Sequence, residues 1–122
     1  MTTVNWPQEL RLKDGGRTLT VAYADATFDL PAEYLRVTSP SAEVQGHTAA
    51  EKRTVGGKRH VVITAVDPVG HYAVKLVFDD GHDSGLFTWD YLHELGAEHV
   101  SKWASYLAEL DAKTLSRDVP SF

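Results

Sequence analysis

Cysteine is absent from these 122 residues. That absence excludes disulfides, thiolate catalysis, zinc fingers and cysteine-held iron–sulfur clusters. No apolar run approaches the roughly 20 residues that a membrane-spanning helix needs. The N-terminus has no basic stretch followed by an apolar one, so no secretory signal is read and a cytoplasmic location is expected. Cations are outnumbered, 12 Lys and Arg against 17 Asp and Glu, for a net charge of −5. Such a balance repels nucleic-acid phosphate and anionic membrane surfaces, and neither partner is expected.

What is present is ordinary globular material, 43% hydrophobic and 24% charged. A chain of this length suits one domain with one core. We place that domain over residues 1–122, with its core over 7–110 and a frayed tail over 113–122.

The first half reads as strands joined by tight turns. Residues 9–13 and 17–23 alternate polar and apolar, as half-buried strands do. Asp14-Gly15-Gly16 between them supplies the positive φ angles of a hairpin turn. A third strand over 27–30 leads into a short helical turn over 29–36, with Pro31 at its first helical position. From 38 to 59 the pattern dissolves into small and charged residues, a long loop expected to be mobile over 46–57.

The second half is clearer. Residues 61–66 are a β-branched run, and Asp67-Pro68-Val69-Gly70 has the composition of a turn. In 72–78, Tyr72, Val74, Leu76 and Phe78 share a strand face. A turn at Asp79-Asp80-Gly81-His82-Asp83 precedes a short strand over 85–87. Thr88 then caps a helix that Gly96 ends. A last helix over 98–112 carries Val100, Trp103, Ala104, Leu107 and Leu110 at helical spacing. Strands, loop, strands and helices in that order make a compact, β-rich α+β domain of mainly antiparallel strands.

Polar chemistry concentrates at Asp79, Asp80, His82 and Asp83, three carboxylates and an imidazole that could hold a cation. A solvated turn is the commoner fate of such residues, and no EF-hand spacing is present. His47, His60, His71, His93 and His99 are scattered; His93 and His99 lie six apart and face away from each other on a helix. Ser39, Ser41, Ser84, Ser101 and Ser105 occur without a Gly-x-Ser-x-Gly elbow. Gly56-Gly57-Lys58 lacks the earlier glycine and the following hydroxyl of a phosphate loop. Lys52, Arg53, Lys58 and Arg59 gather around the long loop without interleaved aromatics for base stacking. No catalytic residue and no cofactor is assigned. Trp89, Tyr91, Trp103 and Tyr106 concentrate aromatic mass in the C-terminal part. Trp89, with Leu92 on its helix face, is expected to be buried.

Three segments taken together carry a resemblance. They are Leu30-Pro31-Ala32-Glu33-Tyr34-Leu35-Arg36, Ser39-Pro40-Ser41-Ala42-Glu43-Val44, and Phe78-Asp79-Asp80-Gly81-His82-Asp83-Ser84-Gly85 followed by Trp89-Asp90-Tyr91-Leu92. Their order and spacing resemble the γ-butyrobetaine hydroxylase N-terminal-like domain family. The resemblance implies a compact α+β fold that assists oligomerisation and, in the carnitine-biosynthesis hydroxylases, holds a structural zinc beside a separate iron-dependent catalytic domain. That catalytic domain has no room here, so hydroxylase activity is not implied.

The zinc does not carry over. The family's three cysteine positions read Ser39, Ser41 and Val44, and its histidine position matches His82. Two hydroxyls, a valine and one imidazole are a very poor zinc set. No metal is expected, with His82, Asp79, Asp80 and Asp83 the only candidates. Similar domains are also fused to P-loop ATPases that carry iron–sulfur clusters. The resemblance therefore implies a stand-alone, non-catalytic binding or adaptor module, its partner a second copy of itself (a homodimer) or such an iron–sulfur carrier ATPase. An alternative is a metal-binding or iron–sulfur-assembly accessory using the His82 region. The expected partner surface comprises Asp80, His82, Asp83 and Trp89.

Overall fold

The computed structural model describes residues 6–45 and 53–119. Two three-stranded antiparallel sheets carry the fold, with helices packed against them. The first sheet runs β1 (Glu9–Lys13), β2 (Thr18–Ala22) and β3 (Thr27–Pro31) in order. Its register sets Leu10 opposite Val21, Leu12 opposite Leu19, and Leu19 opposite Leu30. This places the apolar alternates on one face, as a period of two requires. Asp14, Gly15 and Gly16 all have positive φ, as the sequence predicts for this turn. Gly16 is also a contact between the sheets, since a Cβ there would collide with the backbone carbonyl of Ile63.

Pro31 is a corrected detail. It is extended, with φ −63° and ψ 142°, and stands just before α1 (Ala32–Val37) as its cap, one position earlier than expected. The Ala32 N–H, left over at the helix start, donates to Arg17 O, so strand pairing meets a need that the helix cannot. Within the expected long loop, a short helix α2 (Ala42–Gln45) forms around buried Val44. Of the segment expected to be mobile, 46–52 lie outside the described residues. Residues 53–57 are tied down: Arg53 N–H donates to Val44 O, Gly57 N–H to Ser116 O, and Tyr106 Oη to Val55 O.

The second sheet runs β4 (Ile63–Val69), β5 (Ala73–Phe78) and β6 (Leu86–Thr88). Here Asp67, Pro68 and Val69 are strand and not turn. Pro68 stands on β4, an edge strand, the place in a sheet where proline is tolerated. The chain reverses at Gly70, with φ 64°, and this leaves Tyr72 63% exposed, apart from buried Val74, Leu76 and Phe78.

Thr88 caps α3 (Trp89–Ala97) as expected, its Oγ1 accepting from Tyr91 N–H at 3.1 Å. Gly96 does not end the helix. It lies inside it because any Cβ there would collide with the Phe28 ring. Trp89 is buried; its Nε1 donates to His71 O, and its own carbonyl accepts from Tyr23 Oη. The last helix, α4 (His99–Ala112), buries Tyr106 and Leu110 and leaves Val100 86% exposed, so its packed face is rotated from the expected one.

Within the tail expected to fray, residues 113–119 are described and make contacts with the domain. Arg117 grips buried Glu33 through two nitrogens, at 2.8 and 2.6 Å, and stacks over the Trp103 ring. The core joins Leu19, Val21, Leu30, Tyr34 and Leu35 to Ile63, Val74, Leu76, Phe87, Leu92 and Leu95, so both sheets and α3 share it. No helix among the described residues is long and apolar enough to cross a membrane.

Candidate functional site

The candidate site forms where the segment joining α1 to α2 lies against the connection between β5 and β6. A tight turn closes that connection: Gly81 N–H donates to Phe78 O, Phe78 N–H donates to His82 O, and Gly81 has φ 91°. The positive φ is one that glycine adopts without steric penalty. It turns the chain so that His82 points inward, 5% exposed.

Inside, His82 joins two partners. Its Nε2 lies 2.9 Å from Ser39 Oγ, and its Nδ1 lies 2.9 Å from Glu43 Oε2. A carboxylate only accepts, so Nδ1 carries a proton toward Glu43, and in the neutral ring Nε2 is the acceptor for the Ser39 hydroxyl. Ser39 Oγ accepts in turn from Ser41 N–H at 3.3 Å. A second rung lies beside the first, Ser41 Oγ to Ser84 Oγ at 2.7 Å. Both rungs join residues 43 apart in sequence, so the two segments run side by side in the same direction. Gly85 closes the cluster: a Cβ there would collide with Ser39 Oγ.

Asp80 anchors the outer wall. Its Oδ1 accepts from His82 N–H at 3.0 Å, and its Oδ2 accepts from Arg36 Nε at 2.8 Å and Lys58 Nζ at 2.5 Å. Partial burial would raise its carboxyl, but Lys58, the His82 N–H and Arg36 outweigh that and hold it at about 2.

The four sequence candidates for a metal are drawn apart by these bonds. Asp79 accepts from Val62 N–H, Asp80 holds cations, His82 faces Ser39 and Glu43, and Asp83 is exposed. Among the described residues no group of three His, Asp or Glu side chains could hold an ion. Nor do the residues fit a zinc: Ser39 and Ser41 are engaged with His82 and Ser84, and Val44 offers no donor. Of the residues expected on a partner surface, His82 and Trp89 are buried, and Asp80 and Asp83 lie at the surface.

Ser39, His82 and Glu43 stand in the order of a nucleophile, base and orienting carboxylate. The arrangement is closed, however. Ser39 is 0% exposed, and neither the cleft beside α4 nor the one around Lys58 and Asp80 is lined by Ser39 or His82. Sequence reasoning missed Glu43 and Ser84 as partners. Both stand inside the segments that carry the resemblance, two residues beyond Ser41 and His82 respectively.

The matching segments and their geometry agree with a comparison of the whole chain. Residues 10–93 match the family described as gamma-butyrobetaine hydroxylase-like, N-terminal. The chain belongs to this family. Among solved structures, an NMR solution structure of a protein 50% identical aligns with a TM-score of 0.84, covering 98% of this chain and 95% of the other. A second NMR structure, 43% identical, aligns at 0.80 over 100% and 97%. A crystal structure of a protein of unknown function of the DUF971 family from Acidithiobacillus ferrooxidans ATCC 23270 is 45% identical, with a TM-score of 0.63 over 75% and 93%. A comparison with curated proteins finds no match.

Elsewhere in this γ-butyrobetaine hydroxylase-like domain a cleft of about 400 Å³ opens between the end of α1 and α4. Thr38, Gln45, Ser101 and Ser105 supply polar groups to its walls, and Arg53, Lys102, Glu98 and Glu109 supply charges of both signs. Tyr91 Oη donates to Thr38 O at 2.6 Å and holds one wall in place.

Proposed function

We propose that this γ-butyrobetaine hydroxylase-like domain is a non-catalytic protein-binding module. The observation that carries the reading is the closure of the Ser39–His82–Glu43 line. Its serine is fully buried, and every hydrogen bond it makes is internal. A nucleophile needs an open position beside it for the reacting carbon and donors for the developing charge. Here Gly85 occupies that side. The cluster acts instead as a clasp that fixes the α1–α2 segment, and with it one wall of the cleft, through Thr38 and Gln45.

The cleft has mixed charge and several hydroxyl and amide groups, and its lining is more polar than apolar, with Val37, Val55, Tyr91 and Tyr106 supplying the apolar part. Such a lining suits a polypeptide segment better than a compact apolar ligand, whose sites are mainly hydrophobic. The family resemblance supports a protein partner, either a second copy or an iron–sulfur carrier ATPase. Affinity capture from an extract, comparing the chain with a Ser105→Arg variant that fills the cleft, tests this reading. A protein retained by the first and lost with the second supports it. An identical set retained by both contradicts the cleft as the contact surface.

A further inference from the structure

Strand β1 is an edge of the first sheet, paired on one side only, with β2. Among the described residues nothing pairs with its other side. An unpaired edge of five residues offers a row of backbone donors and acceptors to another strand. Its side chains decide which strand fits. The sequence Glu9-Leu10-Arg11-Leu12-Lys13 reverses its charge from end to end about Arg11. The charged side chains are well exposed: 49% for Glu9, 62% for Arg11 and 38% for Lys13.

We propose that β1 pairs antiparallel with β1 of a second copy of this chain, centred on Arg11, to join two three-stranded sheets into one of six strands. In this register Glu9 faces Lys13 of the other copy twice, by symmetry, and Leu10 faces Leu12 twice. Opposite charges directly across a strand pair attract, and like charges repel. The two Arg11 side chains meet at the centre, the one like-charged pair of this register, each bonded to Glu9 of its own strand. A parallel pairing in register would oppose Glu9 to Glu9 and Lys13 to Lys13, so the charge pattern selects the antiparallel arrangement.

Two apolar features agree. Leu12 is 36% exposed although its neighbour across β2, Leu19, is fully buried. The added strand would cover Leu12 with the apolar side chain it lacks. Trp6, 55% exposed, lies just before β1. Continuing the same register sets it level with Gly16, at the end of the other copy's turn over Asp14–Gly16. Aromatic side chains next to a strand pair are common anchors of such interfaces.

The inference deepens the reading of the chain as a binding module by naming one partner and one surface, distinct from the cleft. Sedimentation equilibrium from about 10 μM to 1 mM, a range suited to a small interface, tests it with Glu9→Lys and Lys13→Glu variants. The chain is expected to dimerise. Each variant alone is expected to dimerise at least about tenfold more weakly, since both cross-strand pairs become like-charged. An equimolar mixture of the two variants should form a heterodimer, because opposite charges then face each other again.

Hydrogen exchange at β1 of the unaltered chain gives a second readout without substitution: protection should rise with concentration. A chain monomeric throughout the range overturns the proposal, as does a dimer unaffected by either substitution or capture of β1 by a different protein's strand. Monomeric behaviour together with cleft-dependent capture would overturn the edge pairing alone and leave the binding-module reading in place.

Discussion

Ser39 Oγ lies 2.9 Å from His82 Nε2, and this contact joins two chain segments 43 residues apart inside the protein. Both groups are buried, so neither can turn to water if the other is removed. Removing one partner of a buried pair costs the desolvation of the group left behind, about 1–3 kcal/mol. Ser39→Ala is therefore expected to lower stability by that amount in urea denaturation. A loss below about 0.5 kcal/mol, as at surface positions, would mean that water already reaches His82.

Trp89 fills the junction between β6 and α3 and is hydrogen-bonded at both its ring nitrogen and its carbonyl. Trp89→Ala removes a buried aromatic, a change that costs about 3–5 kcal/mol. Denaturation of the variant should show a loss in that range; a loss near 1 kcal/mol would indicate that the surroundings collapse into the space.

Gly96 sets helix propensity against packing. Alanine in a helix interior is favoured over glycine by about 1 kcal/mol. The added Cβ would collide with three atoms of the Phe28 ring, and forced overpacking costs about 1–3 kcal/mol. Packing is expected to win, so Gly96→Ala destabilises. A thermal midpoint raised by the substitution would show that Phe28 moves aside freely.

Asp80 predicts an acid-side effect. Its carboxyl is held at about 2 in the folded protein, below the ordinary 3.8. A group depressed on folding stabilises fully above its unfolded value and loses that contribution as pH falls through the folded one. Stability should therefore fall between about pH 4 and pH 2. Asp80→Asn should be less stable at neutral pH and show a flatter decline across that window. Parallel curves for the two proteins would contradict the role of Lys58 and Arg36 at this carboxylate.

The strands were legible because their residues alternate without interruption: 9–13 and most of 17–23, 27–30 and 72–78 appear where the pattern predicts them. The Thr88 cap was legible too, since its chemistry is local. What was not legible depends on distant residues. Gly96 has the composition of a helix end, and only Phe28, far away in sequence, explains its place inside α3. The tail carries no periodic pattern because its anchors are distant in sequence: Arg117 with Glu33, 84 residues apart, Asp118 with Arg59, and Ser116 O with Gly57 N–H. His82 was singled out by the resemblance, but Glu43 and Ser84 became its surroundings only when the two segments met. A short turn helix such as α2 has too few residues to show a period at all.

The central claim is that the Ser39–His82–Glu43 line is a closed clasp and not a reactive site. Incubation of the intact chain with a fluorophosphonate, which reacts covalently with activated serines, tests this most directly. Intact-mass measurement is expected to show no adduct at Ser39 under conditions that saturate a serine hydrolase control. Stoichiometric labelling at Ser39, abolished by His82→Ala, would contradict the claim and make the line a working triad.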